Sequence, residues 1–314
     1  MPGREVFLPD KRRSSRAPPF QMTERDSAIV EAVYRYRMLE RRQIENLFFV
    51  SVTGRHTNTS YARKRLRRLY LYGYLERILR PIDPSEGSRG PVYRLGPTGA
   101  RLLAQQAGVP VGQFHYWGRG DDQDSRRTQV QPLFLEHGLA LADVRIAIEQ
   151  AAKKNDVCIE AWRDDVDLRH ARDWDSVMVA SEDGHHERIP INPDGLFILS
   201  AARGRGHFFL ELDRSTETIG KTWRRKILGY KQYVLNGCFH QRYGGYRTQT
   251  ALRILVITLS VERTQHLKAA AEKYGPSEAA PLFLFAPIDE IVAKDPLTFP
   301  IWLRAGCTGF HALL

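Results

Sequence analysis

The chain has 314 residues, enough for two domains with separate cores, and its 47 Lys/Arg against 36 Asp/Glu give a net charge of +11. Its three cysteines, Cys158, Cys238 and Cys307, are too few and scattered for a disulfide framework or a zinc ribbon. No run approaches the ~18 apolar residues of a membrane span, and the N-terminus lacks the apolar core of a signal peptide, so the expected compartment is a reducing cytoplasm.

The charge is uneven. Residues 1–125 carry 22 Lys/Arg against 13 Asp/Glu, nearly all of the excess, which points to a polyanion partner for that part of the chain. Residues 1–20 hold Lys11, Arg12, Arg13, Arg16 and Pro18-Pro19 with few apolar groups and read as a disordered basic tail. Thr23 opens a helix with acids in its first turn and Ile29, Val33 and Tyr36 at helical spacing. A second helix covers Arg41 to Phe49, and a polar connector with Gly54 follows. From Ser60 a third helix carries a stripe of Ala62, Leu66 and Leu69, while Arg63, Lys64, Arg65, Arg67 and Arg68 cover the rest. Gly73 ends it as a left-handed cap residue would. Tyr74 to Leu79 and Pro91 to Leu95 read as strands around a turn at 81–90, and a helix runs from Thr98 to Ala107. Three helices and a two-stranded ribbon over residues 21–107 are the plan of a winged helix-turn-helix, whose third helix enters the major groove of double-stranded DNA. Its five basic residues are the expected DNA contacts, phosphate contacts supplying affinity and base-edge contacts any specificity.

Residues 108–131, rich in Gly, Asp, Gln and Arg, read as a linker. Residues 132–314 alternate helices and strands, an α/β layer fold with a mixed sheet, so the whole chain reads as α+β / α/β. A helix from Pro132 to Lys153 leads, strands follow at 157–162 and 173–179, and 163–172 reads as a charged loop. His185-His186 on a turn reads as exposed, and His137 as structural. The stretch from Ile189 to Val234 organises this half: two apolar strands in a hairpin, then a basic helix from Lys221. With the turn centred on Gly204, Gly195 faces Asp213 and Phe197 faces Glu211, which brings Asp194 near Asp213 and gathers Asp194, Glu211 and Asp213 at one sheet edge. Converging carboxylates call for a hard cation such as Mg²⁺ (or Mn²⁺), which polarises a phosphoryl oxygen and activates water. Trp223, Ile227, Tyr230 and Val234 form the packed stripe of the helix, with Lys226 and Lys231 flanking it. A loop over 237–249, a strand over 253–260, a helix over 261–274 and a last strand over 282–286 complete the half.

Two segments together resemble one family. The first holds Met22-Thr-Glu-Arg-Asp, Arg65-Leu-Arg-Arg-Leu, Gly73-Tyr-Leu-Glu-Arg and Val92-Tyr-Arg-Leu-Gly-Pro-Thr-Gly-Ala. The second holds Glu136-His137, Pro193-Asp194, Phe209-Leu-Glu-Leu-Asp-Arg and Lys226 with Tyr230. Over roughly residues 22 to 290 the chain resembles the bacterial replication-relaxation family of plasmids and integrated mobile elements. The resemblance implies a role in replication or in relaxing DNA for transfer, with replication or transfer proteins as partners. Residues 132–314 are also similar to the PD-(D/E)-x-K nucleases, three-layer α/β domains. By that likeness Asp194 and Glu211 are the motif acids, and Glu136 is the acid on the preceding helix. Asp213 stands where a lysine is expected, and Lys226 replaces it in space. Glu136, Asp194, Glu211 and Asp213 are then the implied metal ligands, and Asp194, Glu211, Asp213 and Lys226 the catalytic set of a Mg²⁺-dependent endodeoxyribonuclease. The alternative is a non-catalytic accessory factor or transcriptional regulator with a degenerate nuclease-like domain.

Overall fold

The computed structural model describes residues 19–49, 59–80, 90–116, 132–170, 175–180, 185–202, 204–215, 217–244, 251–275 and 282–314. Residues 1–18 of the expected basic tail and much of the expected connector, ribbon turn and linker lie outside the described residues, as do 171–174, where a loop ends and a strand is expected to begin, and parts of the expected turn at 181–186 and loop at 237–249. The protein is mixed α and β. It falls into two compact units that divide at Ala142, within the helix starting at Pro132 rather than at its start.

In the first unit the order is α1 (Glu24–Arg35), β1 (Met38–Glu40), α2 (Arg41–Phe48), α3 (Thr59–Leu71), β2 (Leu75–Ile78), β3 (Val92–Leu95) and α4 (Pro97–Gln106). The chain then enters α5 (Pro132–Lys154). Thr23 caps α1: its hydroxyl accepts from the Asp26 backbone N–H, and Asp26 bonds back to the Thr23 backbone. Gly73, at φ +74, ends α3 in a conformation that disfavours side chains with a Cβ. The strands pair antiparallel in the order β1-β3-β2, with Leu39 opposite Tyr93 and Arg77 opposite Tyr93 on its other side. Sequence reading missed β1, three residues too short to show a period. The start of α5 completes this core. Leu135 and Leu139 pack on Met38 and Val92, and the buried Gln43 amide donates to the Leu139 carbonyl at 2.9 Å.

The second unit is built on a seven-stranded mixed sheet. Its elements are β4 (Cys158–Asp164), α6 (Asp165–His170), β5 (Asp175–Ala180), β6 (His186–Ile191), β7 (Gly195–Ala201) and β8 (Gly204–Asp213). A π-helical turn (Ile219–Trp223) then leads into α7 (Arg224–Leu235), α8 (Cys238–Tyr243), β9 (Ala251–Thr258), α9 (Val261–Tyr274), β10 (Phe283–Pro287), α10 (Ile288–Ala293), β11 (Trp302–Arg304) and β12 (Phe310–His311). The sheet order is β12-β11-β10-β9-β8-β7-β4, with β8, β9 and β10 parallel and the flanking pairs antiparallel; β5 and β6 form a separate ribbon. The parallel strands carry continuous apolar runs at Ile254–Ile257 and Phe283–Ala286, as strands covered on both faces do. On one face Leu196, Ile198, Phe209, Ile254 and Phe283 pack with Trp223, Ile227 and Tyr230 of the helical layer. Gly229 lets α7 lie against β6: a Cβ there would stand 2.7 Å from Ile189 Cγ2.

Three expectations change here. The run from Ile189 to Leu199 is two strands in two sheets, broken at Asn192-Pro193-Asp194, where proline cannot donate a ladder bond. The hairpin register also differs. Gly195 faces Leu210 and Phe197 faces Phe208, three residues from the expected pairing. The turn is tighter because Gly204, at φ +132, is itself the first residue of β8 and pairs with Ala201. The expected loops at 163–172 and 237–249 contain the short helices α6 and α8.

Candidate functional site

β8 ends in Glu211-Leu212-Asp213. Strand alternation turns Glu211 and Asp213, with Phe209 and His207, toward the face that α7 and α9 cover. The observed register stops one pair short of Asp194, which therefore stands beside Glu211 instead of Asp213. Its backbone N–H donates to the Leu210 carbonyl at 2.8 Å, and its carboxylate accepts the Leu212 N–H at 2.8 Å. Pro193 and Asp194 thus close the end of β7 onto the end of β8.

Glu211 is 2% exposed. Lys226 donates to its Oε2 at 3.0 Å, and the Tyr230 hydroxyl donates to its Oε1. Lys226 and Tyr230 are four apart on α7, so one helical face serves both carboxylate oxygens. The same ammonium reaches Glu217 at 3.0 Å and lies 5.0 Å from the centre of the Trp223 ring. Burial pushes the Glu211 carboxyl up to about 7; Asp194 adds to the rise, while Lys226 and the Tyr230 hydroxyl oppose it. For Lys226 burial acts downward, but Glu211 and Glu217 outweigh it and hold the ammonium above the usual lysine range. Burial and the adjacent Glu211 raise the Tyr230 phenol.

Asp213 has a different setting. Arg263 of α9 grips both its oxygens, at 2.6 and 3.1 Å, and the Trp223 indole donates at 3.0 Å. Glu136 lies in the first unit, where Arg80 donates to it at 3.3 Å. Among the described residues no group of three or more His, Cys, Asp or Glu side chains is placed to hold a metal ion. Within the second unit Asp194 and Glu211 are adjacent, Asp213 is turned to Arg263, and Lys226 rather than Lys231 reaches Glu211. A cavity of about 150 Å³ opens beside Asp194, lined also by Asp165, Asp175, Phe209, Tyr233 and Tyr243. Tyr233 and Arg242 both donate to Asp175 there.

On α3, Arg63, Lys64 and Arg67 are exposed and Arg68 is half-buried. Arg65 departs from its expected role. It is buried and donates through Nε to Asp26 at 3.0 Å, and through Nη2 to the same carboxylate and to the Gln21 carbonyl. Burial opposes ionisation of Asp26, but the Arg65 and Thr23 hydrogen bonds outweigh it and lower its pKa.

A family model described as replication-relaxation matches residues 30–248. The chain belongs to the replication-relaxation family. Comparison with curated proteins and with solved structures finds no match. Membership associates this replication-relaxation protein with the replication or relaxation of plasmid and mobile-element DNA. The matched span is narrower than the resemblance read over 22 to 290, yet it contains α3, Asp194, Glu211, Lys226 and Tyr230. It ends before α9, so Arg263, the partner of Asp213, lies outside it. Among the described residues of this family member no helix is long and apolar enough to cross a membrane.

Sequence reading missed Glu217 and Arg263, which come from a loop and from a helix first turn without any motif. Tyr230 had a signal, its four-residue spacing from Lys226, but was assigned to the core stripe. It serves both roles.

Proposed function

We propose that this protein binds the double-stranded DNA of a plasmid or mobile element in the cytoplasm and nicks it, alongside replication or transfer proteins. In this reading the first unit is a winged helix-turn-helix, and its element order of helix, strand, two helices, two strands and helix supports that. The exposed Arg63, Lys64 and Arg67, with Arg68, meet phosphates or base edges, while Arg65 holds α3 to α1.

The second unit is read as a PD-(D/E)-x-K nuclease scaffold. The observation that carries the reading is Lys226, from the next helix, 3.0 Å from a buried Glu211 that has Asp194 alongside. The donor set fits a small hard cation. Mg²⁺ is usually held by one or two carboxylates, with water and substrate phosphate filling the remaining positions. A carboxyl raised by burial next to a second carboxylate is also one whose cost a cation relieves. Asp194 and Glu211 would hold Mg²⁺ or Mn²⁺, which when bound polarises a phosphoryl oxygen and activates water. Tyr230 fixes the far oxygen of Glu211. Lys226 brings positive charge to where negative charge develops on the phosphoryl group.

The test is nicking of supercoiled plasmid with Mg²⁺ or Mn²⁺, run beside Asp194→Asn and Glu211→Gln with duplex binding measured for all three. The expected result is nicking by the parent that both variants lose while still binding. Binding without nicking by the parent, in either metal, sinks the catalytic reading. A second reading, an accessory factor or regulator with a degenerate nuclease-like domain, is favoured by one observation. Asp213, at the motif's lysine position, is neutralised by Arg263 instead of facing the Asp194–Glu211 pair.

A further inference from the structure

The chain between β8 and α7 is anchored by Asp213 and Arg263, and the residues so anchored are the neighbours of Lys226. Asp213, the last residue of β8, has a fully buried side chain. Its carboxylate accepts the Ser215 backbone N–H at 3.2 Å, an Asx turn that carries Ser215 at φ +61. The Arg263 fork that grips this carboxylate makes a further bond: its Nη2 donates to the Glu217 carbonyl at 2.6 Å. One guanidinium therefore joins the end of the strand to the far side of the turn, as a rigid fork of five donors allows. From the π-helical turn the Trp223 indole N–H reaches the same carboxylate at 3.0 Å.

Glu217 and Trp223, both held in this way, flank the Lys226 ammonium. Nζ forms an ion pair with Glu217 Oε2 at 3.0 Å and stands 5.0 Å from the Trp223 ring centre, while donating to Glu211 at 3.0 Å. Trp223 precedes Lys226 by three residues, so ring and ammonium share one helical face. The Lys226 side chain is partly exposed, so close packing alone does not fix it. A lysine ammonium is a point charge on a flexible four-carbon stem, and one carboxylate leaves it several positions. Here a second carboxylate and a ring face add the missing constraints. The placement matters for chemistry, since a misplacement of about 1 Å can cost on the order of 100-fold in rate.

We propose that Asp213, Arg263 and Glu217 are positioning residues of the candidate site: Arg263, anchored on Asp213, holds Glu217, and Glu217 with the Trp223 ring sets where the Lys226 ammonium stands. The catalytic consequence rests on the nuclease reading of Asp194 and Glu211, with Lys226 then aimed at the phosphoryl group of a DNA strand. The position of Lys226 rests on the contacts alone. Asp213, at the motif's lysine position, acts through the lysine that replaces it.

The experiment uses the full chain with ¹³C-labelled lysine methylenes, and Lys226→Arg identifies the Lys226 resonance. Methylene protons beside an indole face are shielded by its ring current, so in the parent this resonance is expected upfield of the exposed lysines. Glu217→Gln removes the second carboxylate and leaves Asp213 paired with Arg263. Arg263→Lys keeps a charge at Asp213 but loses the fork that reaches the Glu217 carbonyl. Both are expected to move the resonance to the exposed-lysine position, which loss of fold stability alone would not do in a protein that stays folded. In nicking of supercoiled plasmid with Mg²⁺, both should lower kcat roughly 10–100-fold with KM unchanged, the size of effect that follows removal of a partner one layer out from the reacting groups. Glu217 is partly exposed, so Glu217→Gln is expected to melt with the parent; should Arg263→Lys not fold, Glu217→Gln decides alone. A moved resonance with a parent that does not nick supports the positioning of Lys226 and sinks the nuclease reading. A resonance that Glu217→Gln leaves in place, or one that moves while a nicking parent and its variants keep the same kcat, overturns the proposal.

Discussion

Two buried side chains on the same strand face pull the stability of the second unit in opposite directions with pH. Glu211 is raised from 4.5 to about 7, so its contribution is full below pH 4.5 and is lost as pH rises through 7. His207 is lowered from 6.5 to about 4 by burial and by Arg205, and its ring sits among Phe239 and Tyr243 with Nδ1 unpartnered among the described residues. Its contribution is full above pH 6.5 and is lost as pH falls through 4. Each shift corresponds to something on the order of 3 kcal/mol, and the two slopes oppose one another between pH 4.5 and 6.5. Urea denaturation in the presence of a chelator should show this. Relative to the parent, His207→Phe should gain stability as pH falls across that window, and Glu211→Gln should lose it. Parallel pH profiles for the two variants would contradict the assignment. Asp194 and Asp213 separate in a similar way. Asp213→Asn leaves Arg263 without its carboxylate and should cost about 3 kcal/mol. Asp194→Asn keeps an acceptor for the Leu212 N–H and should cost under about 1 kcal/mol. Equal losses would mean that Asp213 is not the structural member of the pair.

At the level of single elements, sequence periodicity located helices well. α9 is read over 261–274 and observed as Val261–Tyr274, because Ser260 caps it and its apolar spacing is regular. Periodicity does not say which cation of a basic helix faces inward. The stripe of Ala62, Leu66 and Leu69 defines the buried face of α3, and Arg65 lies next to Leu66 at its margin, where the buried Asp26 of α1 claims it. No local pattern predicts a partner 39 residues distant. The helix therefore divides its charges between holding the fold and facing outward. Arg65→Ala should destabilise the protein by about 3–5 kcal/mol, the cost of leaving Asp26 buried and unpaired. Arg63→Ala, Lys64→Ala and Arg67→Ala should stay within about 0.5 kcal/mol of the parent. Each should instead weaken duplex binding and lower its salt slope by about 0.9 for every phosphate it no longer neutralises. Melting curves and salt-dependent anisotropy on the four variants check both halves. A salt slope unchanged in all three exposed-site variants would remove α3 from the DNA interface.

For the whole chain, the two-part plan and the central place of β7, β8 and α7 were legible because alternation, glycine punctuation and helical stripes are local signals. The pairing of Asp194 with Glu211 was legible only as proximity at one end of a hairpin. Its register depended on whether Gly204 is the middle of the turn or the first strand residue, which backbone conformation decides and residue type does not. The division between the units was also hidden, since a change from Gly- and Arg-rich chain to helix at Pro132 marks where a helix starts, not which core it enters. Leu135 and Leu139 enter the first core, with the Gln43 amide bonded to the Leu139 carbonyl, whereas Val144, Ile148 and Ala152 are buried residues of the second unit. This yields a prediction about fragments. A fragment of residues 19–154 retains the whole of α5, and one of residues 19–131 removes Leu135 and Leu139 and with them the hydrogen bond from the Gln43 amide to the Leu139 carbonyl. Burying a leucine side chain contributes ~1.5–3 kcal/mol, and one hydrogen bond contributes about 0.5–1.5 kcal/mol. The longer fragment should therefore be the more stable by at least about 3 kcal/mol, read as a higher urea midpoint at similar steepness. Equal midpoints would place the boundary at the start of α5, where composition alone puts it.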